Sequence, residues 1–243
     1  MRKLPSGRVA VVIGGSGTIG AAIARRLAED GHTVAVTYHR GRRVAADLLG
    51  TGGAASALQL DVTRPAQITT VFDEVEKRYG HVDVVINSVG SMARSTVRDL
   101  TAQYLHDLFE VNVIGPMQVL REAARRITDW GRIINISSAL VGRPTAEFSA
   151  YAAGKAALEL FGTAIANELG ARHVTVNSVR AGRVQSPADD AANDQTSAAD
   201  DSPQPSRRAG QPQDIADVVA FLTGDDARWM TGQVLTVDGG ATC

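Results

Sequence analysis

The stretch Val9-Ala-Val-Val-Ile-Gly-Gly-Ser-Gly-Thr-Ile-Gly20 decides how the chain is read. Five apolar residues without alternation describe a strand buried on both faces. The glycines that follow permit a tight turn and close approach to the backbone. The helix expected after them presents its free N-terminal amides to an anion such as a pyrophosphate. Gly15-x-Gly17-x-x-Gly20 fits the generic spacing of a dinucleotide-binding loop. The competing reading is a strand, turn and helix that hold no ligand.

Working outward, further apolar runs alternate with helical stretches, which is the signature of βαβ units and a parallel sheet. The expected strands are Val9–Ile13, Thr33–Thr37, Ala55–Leu60, Val82–Ile86, Arg132–Ser137, Val174–Val179 and Gln233–Val237. Pro65 and Pro212 sit where helices start, and Gly31 and Gly80 just past where helices end.

Composition limits the function classes. A chain of 243 residues, 44% hydrophobic and 21% charged, suits one domain over 1–243 with a sizeable core. A net charge of −1 with scattered Lys and Arg gives no field for nucleic acid, so no such partner is expected. No apolar run approaches membrane-spanning length, and the start Met1-Arg-Lys-Leu-Pro-Ser-Gly7 leads into a run too short for a signal peptide. The one cysteine, Cys243, cannot form an intrachain disulfide, and no Cys/His cluster suggests a metal. A cytoplasmic protein without membrane contact is expected.

The end of the second strand bears on the nucleotide. Enzymes that use NAD place a carboxylate about 20 residues beyond the glycines, on the ribose hydroxyl. Here Tyr38 occupies that place, followed by His39, Arg40, Arg42 and Arg43, cations able to pair with a 2′-phosphate. NADP(H) is favoured, with Arg40 ahead of Arg42 and Arg43. The alternative is a solvated basic turn opening a helix.

Tyr151 and Lys155 are four residues apart in Ala-rich sequence, which on a helix places both on one face. A phenol beside a fixed cation is expected to ionise more readily than a free one and so to serve in proton transfer. Alone, the pair is equally a helix with one polar face. Its company is Ile133-Ile-Asn-Ile136, a buried strand that carries Ser138 to its tip, where a hydroxyl can hydrogen-bond a substrate oxygen. Asn112 interrupts the otherwise apolar Val111–Gly115 and needs a buried partner or water.

In this order, Gly14–Gly20, Leu60-Asp-Val62, Asn87-Ser-Val-Gly90, Asn112, Ser138, Tyr151/Lys155, Val176–Gly182 and Thr231–Gly240 make the sequence similar to the short-chain dehydrogenase/reductase family. Within it, the chain resembles the branch of 3-oxoacyl carrier-protein reductases. The resemblance covers nearly the whole chain. It implies a Rossmann-like, doubly wound three-layer α/β sandwich with a mostly parallel seven-stranded sheet, and a catalytic tetrad of Asn112, Ser138, Tyr151 and Lys155. In the family, the asparagine holds a water that connects the lysine to solvent, and the lysine also binds the nicotinamide ribose.

The resemblance further implies NADP(H) contacts from Gly14, Ser16, Gly17, Thr18, Ile19, Gly20, His39 and Arg40, from Asp61 and Val62 beside the adenine, and from Asn87 and Gly90 along the ribose. Val184 and Ser186 are implied beside the carboxamide, with Tyr151 and Lys155 completing the set. Thr18 stands where the family has its middle glycine, and Gly17 is expected to supply the missing freedom. Residues 185–206 occupy the substrate-lid position. From Gln185 to Ser206 there is no Val, Ile, Leu, Met or aromatic residue, and five aspartates are present, so a weak, mobile lid or a plain acidic loop is expected.

The expected activity is reduction of a ketone on a small molecule, either a 3-oxoacyl thioester, free or carrier-bound, or a polyketide-like carbonyl. Arg125, Arg126 and Arg172 offer charge to an acidic carrier protein, which Asp129 and the acidic lid would repel. The alternative is a non-catalytic NADP-binding sensor or scaffold on the same fold. A homotetramer is implied by the resemblance, and the apolar residues spread around the helix beginning near Ser149 add a reason of their own.

Overall fold

The computed structural model describes residues 7–186 and 205–243. Most of the expected lid, 187–204, lies outside the described residues.

The chain alternates as expected: β1 (Val9–Ile13), α1 (Thr18–Glu29), β2 (Thr33–Tyr38), α2 (Arg42–Gly50), β3 (Ser56–Gln59), α3 (Pro65–Tyr79) and β4 (Val82–Asn87). Then come α4 (Ala102–Phe109), a π-helical turn (Glu110–Ile114), α5 (Gly115–Arg126), β5 (Ile127–Ser138) and α6 (Ser149–Leu169). The described part closes with β6 (Thr175–Ala181), α7 (Pro212–Thr223) and β7 (Val234–Val237). The seven strands form one sheet in the order β3-β2-β1-β4-β5-β6-β7. Every pairing is parallel, where a mostly parallel sheet was expected.

The sheet carries apolar residues on both faces. Val9, Val11 and Ile13 pack with Ile68, Phe72, Leu120, Leu158 and Ile165 of α3, α5 and α6. Ala10 and Val12 pack with Ile23, Leu27, Leu48, Ile215 and Val219 of α1, α2 and α7. This two-sided burial explains why β1 reads as an unbroken apolar run, and it gives three layers.

Helix ends follow the local chemistry. Pro65 opens α3, and Gly80 closes it in the left-handed region at φ 87°. Pro212 opens α7 behind a capping box in which the Gln211 and Asp214 side chains satisfy each other's backbone amides. Strand β5 begins five residues earlier than its apolar run suggests: Ile127 pairs with Val82, then the register shifts and Val84 pairs with Arg132. The extra residues turn through Trp130 at φ 68°, whose ring stacks on His173 at 4.0 Å.

Strand order reverses at β1, which lies between β2 and β4. The crevice beyond the carboxyl ends of strands at such a switch point is where open α/β sheets bind ligands.

Candidate active site

The glycine loop lies at that crevice. Gly14 takes φ 79°, and its amide donates to Thr37 Oγ1 on β2 at 3.0 Å. A Cβ on Gly20 would come within 2.3 Å of the Gly14 carbonyl oxygen, so the first turn of α1 can approach the loop only as glycine. Gly17, the N-cap of α1, sits at φ −75° with no side-chain cap, and leaves the first-turn amides of Thr18, Ile19 and Gly20 for a ligand. Its expected conformational freedom is therefore not used; the left-handed residue is Gly14. Ser16 packs against Gly41, where a Cβ would meet its Oγ at 2.7 Å, and this brings the loop to the end of β2 beside exposed His39 and Arg40.

Beyond β3, His39, Gln59, Asp61 and Gln67 line a cavity of about 290 Å³. The Asp61 carboxylate accepts from the Thr63 hydroxyl at 2.7 Å and lies 3.6 Å from Arg64 Nε and 3.9 Å from His39 Nε2. Hydrogen bonding from Thr63, and then the neighbouring His39 and Arg64, hold its carboxyl below the usual range. His39 thus faces a carboxylate, whereas Arg40 is exposed. Val62 is buried against the start of α5, where a Cβ on Gly115 would meet its carbonyl oxygen at 2.8 Å.

Two asparagines make buried hydrogen bonds near the site. Asn87 is fully buried, and its amide donates to Asn135 Oδ1 on β5 at 3.3 Å, so the side chain ties β4 to β5. Asn112 sits on the π turn, a feature that often marks functional sites. Its Nδ2 donates to the Ser91 and Leu108 carbonyl oxygens, both at 3.0 Å, and its Oδ1 accepts from the Ser91 amide at 3.0 Å. The amide clamps the loop that follows β4 through bonds to its backbone.

That loop presses on Lys155. A Cβ on Gly90 would lie 2.9 Å from Lys155 Nζ and 3.2 Å from Asn112 Oδ1. The ammonium is buried and donates to the carbonyl oxygens of Val89 and Ile136, both at 3.0 Å. Burial lowers its pKa to about 8 against an upward pull from Glu159. One turn earlier on α6 stands Tyr151, with its ring centre 5.9 Å from Lys155 Nζ. Near it is Ser138, which ends β5 and whose Oγ accepts from the Leu140 amide at 3.2 Å. Burial raises the Tyr151 pKa above its usual value, and the neighbouring Ser138 hydroxyl pulls it part of the way back. Burial thus outweighs the downward pull, and the phenol sits above its usual value rather than below it as the neighbouring cation led one to expect.

The structure therefore brings Ser138, Tyr151, Lys155 and Asn112 together beside the glycine loop. Val184 forms an isolated bridge with Gly210, and Ser186 follows it beyond the end of β6. Sequence reasoning passed over Ser137, Glu159 and Arg180, which form a partly buried ion-pair cluster directly behind Ser138 and Lys155. Its signal was a carboxylate one turn after Lys155 on an otherwise apolar helix face. Among the described residues, no group of three or more His, Cys, Asp or Glu could hold a metal, and no helix is long and apolar enough to cross a membrane.

A doubly wound parallel sheet with a glycine loop at its switch point and a Ser, Tyr, Lys and Asn cluster beside it defines a nucleotide-binding oxidoreductase fold. The sequence matches the family described as enoyl-(acyl carrier protein) reductase over residues 14–242. It is 36% identical over 247 residues to an uncharacterized oxidoreductase of Methylorubrum extorquens, covering 99% of each chain. It is 33% identical over 238 residues to the 3-oxoacyl-[acyl-carrier-protein] reductase of Escherichia coli, covering 96% of this chain and 97% of that one. Among solved structures, a blue fluorescent protein from a metagenomic library in complex with NADPH superposes with a TM-score of 0.90 at 36% identity, covering 98% of this chain and 99% of that one. The chain belongs to the short-chain dehydrogenase/reductase family.

Proposed function

We propose that the protein is an NADPH-dependent reductase of ketones, with Tyr151 as general acid. The observation that carries this reading is the placing of Tyr151 beside Ser138 at the crevice, with its ring centre 5.9 Å from the buried ammonium of Lys155 one helical turn away. The fit to a dinucleotide rests on the cradle at Gly14 and Gly20, which a side chain would fill, and on the uncapped start of α1. Thr18, Ile19 and Gly20 would hold the pyrophosphate, Arg40 the 2′-phosphate, and Gly90 and Lys155 the nicotinamide end. NADPH, when bound, supplies the hydride.

The rest is the work of this chain's own residues. Ser138 and Tyr151 donate hydrogen bonds to the substrate carbonyl oxygen and stabilise the charge that grows on it. Tyr151 then passes its proton to that oxygen. An alkoxide is far more basic than even a buried phenolate, so the raised pKa of Tyr151 leaves the transfer downhill. Lys155, still largely protonated near neutral pH, places a positive charge beside the phenolate as it forms. Asn112 fixes the loop that holds Lys155 from above.

Substrate choice leans toward a free ketone. Arg126 is engaged by Glu122, Asp73 and Glu76 at 2.6 to 3.0 Å, and Arg172 by Asp129 at 2.9 Å. Arg126 and Arg172 are thus already paired with neighbours, while Arg125 stays largely exposed, 3.7 Å from Glu122. A homotetramer also belongs to this reading. A groove of about 430 Å³ between α5 and α6, lined by Ala124, Phe161, Ala164 and Ile165 and rimmed by Arg121, Arg125 and Glu168, runs along the helix whose Leu160 is 74% exposed. Small residues there allow a second copy of the helix to approach. Loss of NADPH absorbance on adding a panel of cyclic ketones and acetoacetyl thioesters tests the function. Consumption with a ketone supports it, and no consumption with any of them leaves the sensor reading.

A further inference from the structure

Of the two carboxylates on α6, Glu168 is exposed and Glu159 is buried, 5% exposed. Ser137 donates to Glu159 Oε1 at 2.6 Å, and Arg180 grips both oxygens, Nε to Oε1 at 2.9 Å and Nη2 to Oε2 at 2.8 Å. Ser137 immediately precedes Ser138. Arg180 lies beneath the turn that follows Ser138, where a Cβ on Gly142 would come within 3.2 Å of its Nη1. The cluster thus joins α6, β5 and β6 at the level of the site. Stability alone gives a poor reason for it, since apolar residues of similar volume commonly serve as well as a buried ion pair.

A second reason is at hand, because Glu159 follows Lys155 by four residues, which places the two on one helix face. Among the described residues, the titratable and charged groups facing Lys155 are Tyr151 and Glu159 on α6, with Arg180 on β6 behind the carboxylate. The π turn presents Asn112 and β5 presents Ser137 and Ser138, none of them charged. The direct partners of the ammonium are two neutral carbonyl oxygens.

We propose that Glu159 is a positioning residue for the reduction: its carboxylate, held by Arg180 and Ser137, keeps Lys155 charged beside Tyr151, and Arg180 sets how strongly it does so. The proposal rests on the role assigned to Lys155 above. Glu159→Gln, which preserves shape and removes charge, lets the Lys155 ammonium give up its proton at lower pH. Arg180→Gln leaves the carboxylate unneutralised and moves Lys155 the opposite way.

The direct readout is NMR of protein labelled with carbon-13 at the lysine ε position, without cofactor. The chain has three lysines, Lys3, Lys77 and Lys155, so the buried one is readily followed. The expected result is a Lys155 midpoint lower by about one pH unit in Glu159→Gln and higher in Arg180→Gln, as a neighbouring charge requires. The alkaline limb of ketone reduction should move with it in each variant. An unchanged midpoint in Glu159→Gln, or shifts of the same sign in both, overturns the proposal. If Glu159→Gln does not fold, Arg180→Gln decides by the same criterion. A wild type that reduces no ketone refutes the proposed function and leaves the NMR result to judge Glu159 independently.

Discussion

Lys155 Nζ lies 5.9 Å from the centre of the Tyr151 ring, yet its hydrogen bonds go to the Val89 and Ile136 carbonyl oxygens. The ammonium is held in place by backbone at a cost in desolvation, and burial brings its pKa from 10.5 to about 8. A basic group depressed on folding contributes stability that is present above its unfolded pKa and lost as pH falls through the folded one. In wild type this contribution should grow by about 2 kcal/mol between about pH 7 and about pH 9.5. Lys155→Met lacks the group, so the stability difference between wild type and variant, measured by urea unfolding at the two pH values, should move in favour of wild type by about that amount. A difference independent of pH would mean that Lys155 titrates normally.

Cofactor choice is predicted to turn on Arg40. It is exposed at the end of β2, whereas His39 faces the Asp61 carboxylate. Arg40→Asp should weaken NADPH binding by about 1.5–3 kcal/mol, the worth of a charge-assisted pair, and leave NADH nearly unaffected. Fluorescence titration of both nucleotides checks this; a wild type that binds NADH as tightly as NADPH contradicts it.

Gly20 is predicted to be irreplaceable even by alanine. The added Cβ would lie 2.3 Å from the Gly14 carbonyl oxygen, a backbone atom that cannot yield without opening the loop. Gly20→Ala should therefore bind NADPH at least about tenfold more weakly, equivalent to losing one charge-assisted hydrogen bond. Calorimetric titration gives the answer directly.

If the groove between α5 and α6 is the interface of the proposed tetramer, Ala164→Arg, which puts a bulky cation among its small residues, converts that tetramer to smaller species. Light scattering at micromolar concentration should show a mass near four chains for wild type and less for the variant. A monomeric wild type would remove the tetramer from the account and leave the chemistry untouched.

Much of this was legible in the sequence because burial leaves a simple trace. The unbroken apolar run Val9–Ile13 betrays a strand covered on both faces, and the four-residue spacing of Tyr151 and Lys155 fixes their common face. What stayed hidden depends on partners distant in sequence. Asn112 reads as an amide in an apolar helix, and nothing local reveals a π turn or the bond to Ser91. Asn87 reads as a residue at a strand tip, while the parallel register that sets it opposite Asn135 is known only once β4 and β5 pair. The raised Tyr151 pKa was misjudged for the same reason. Spacing gives the nearby charge, but desolvation is a property of the packed site.

The central claim is that Tyr151 supplies the proton in an NADPH-dependent reduction, and it is tested by comparing wild type with Tyr151→Phe. Single-turnover reduction of a ketone that wild type accepts is followed by NADPH absorbance, with NADPH affinity measured separately. The account predicts a rate lower by at least ~10²–10⁴-fold in the variant, since a general acid and an oxyanion donor are lost together, with NADPH still bound. A Tyr151→Phe protein that reduces the same ketone at the wild-type rate would contradict it.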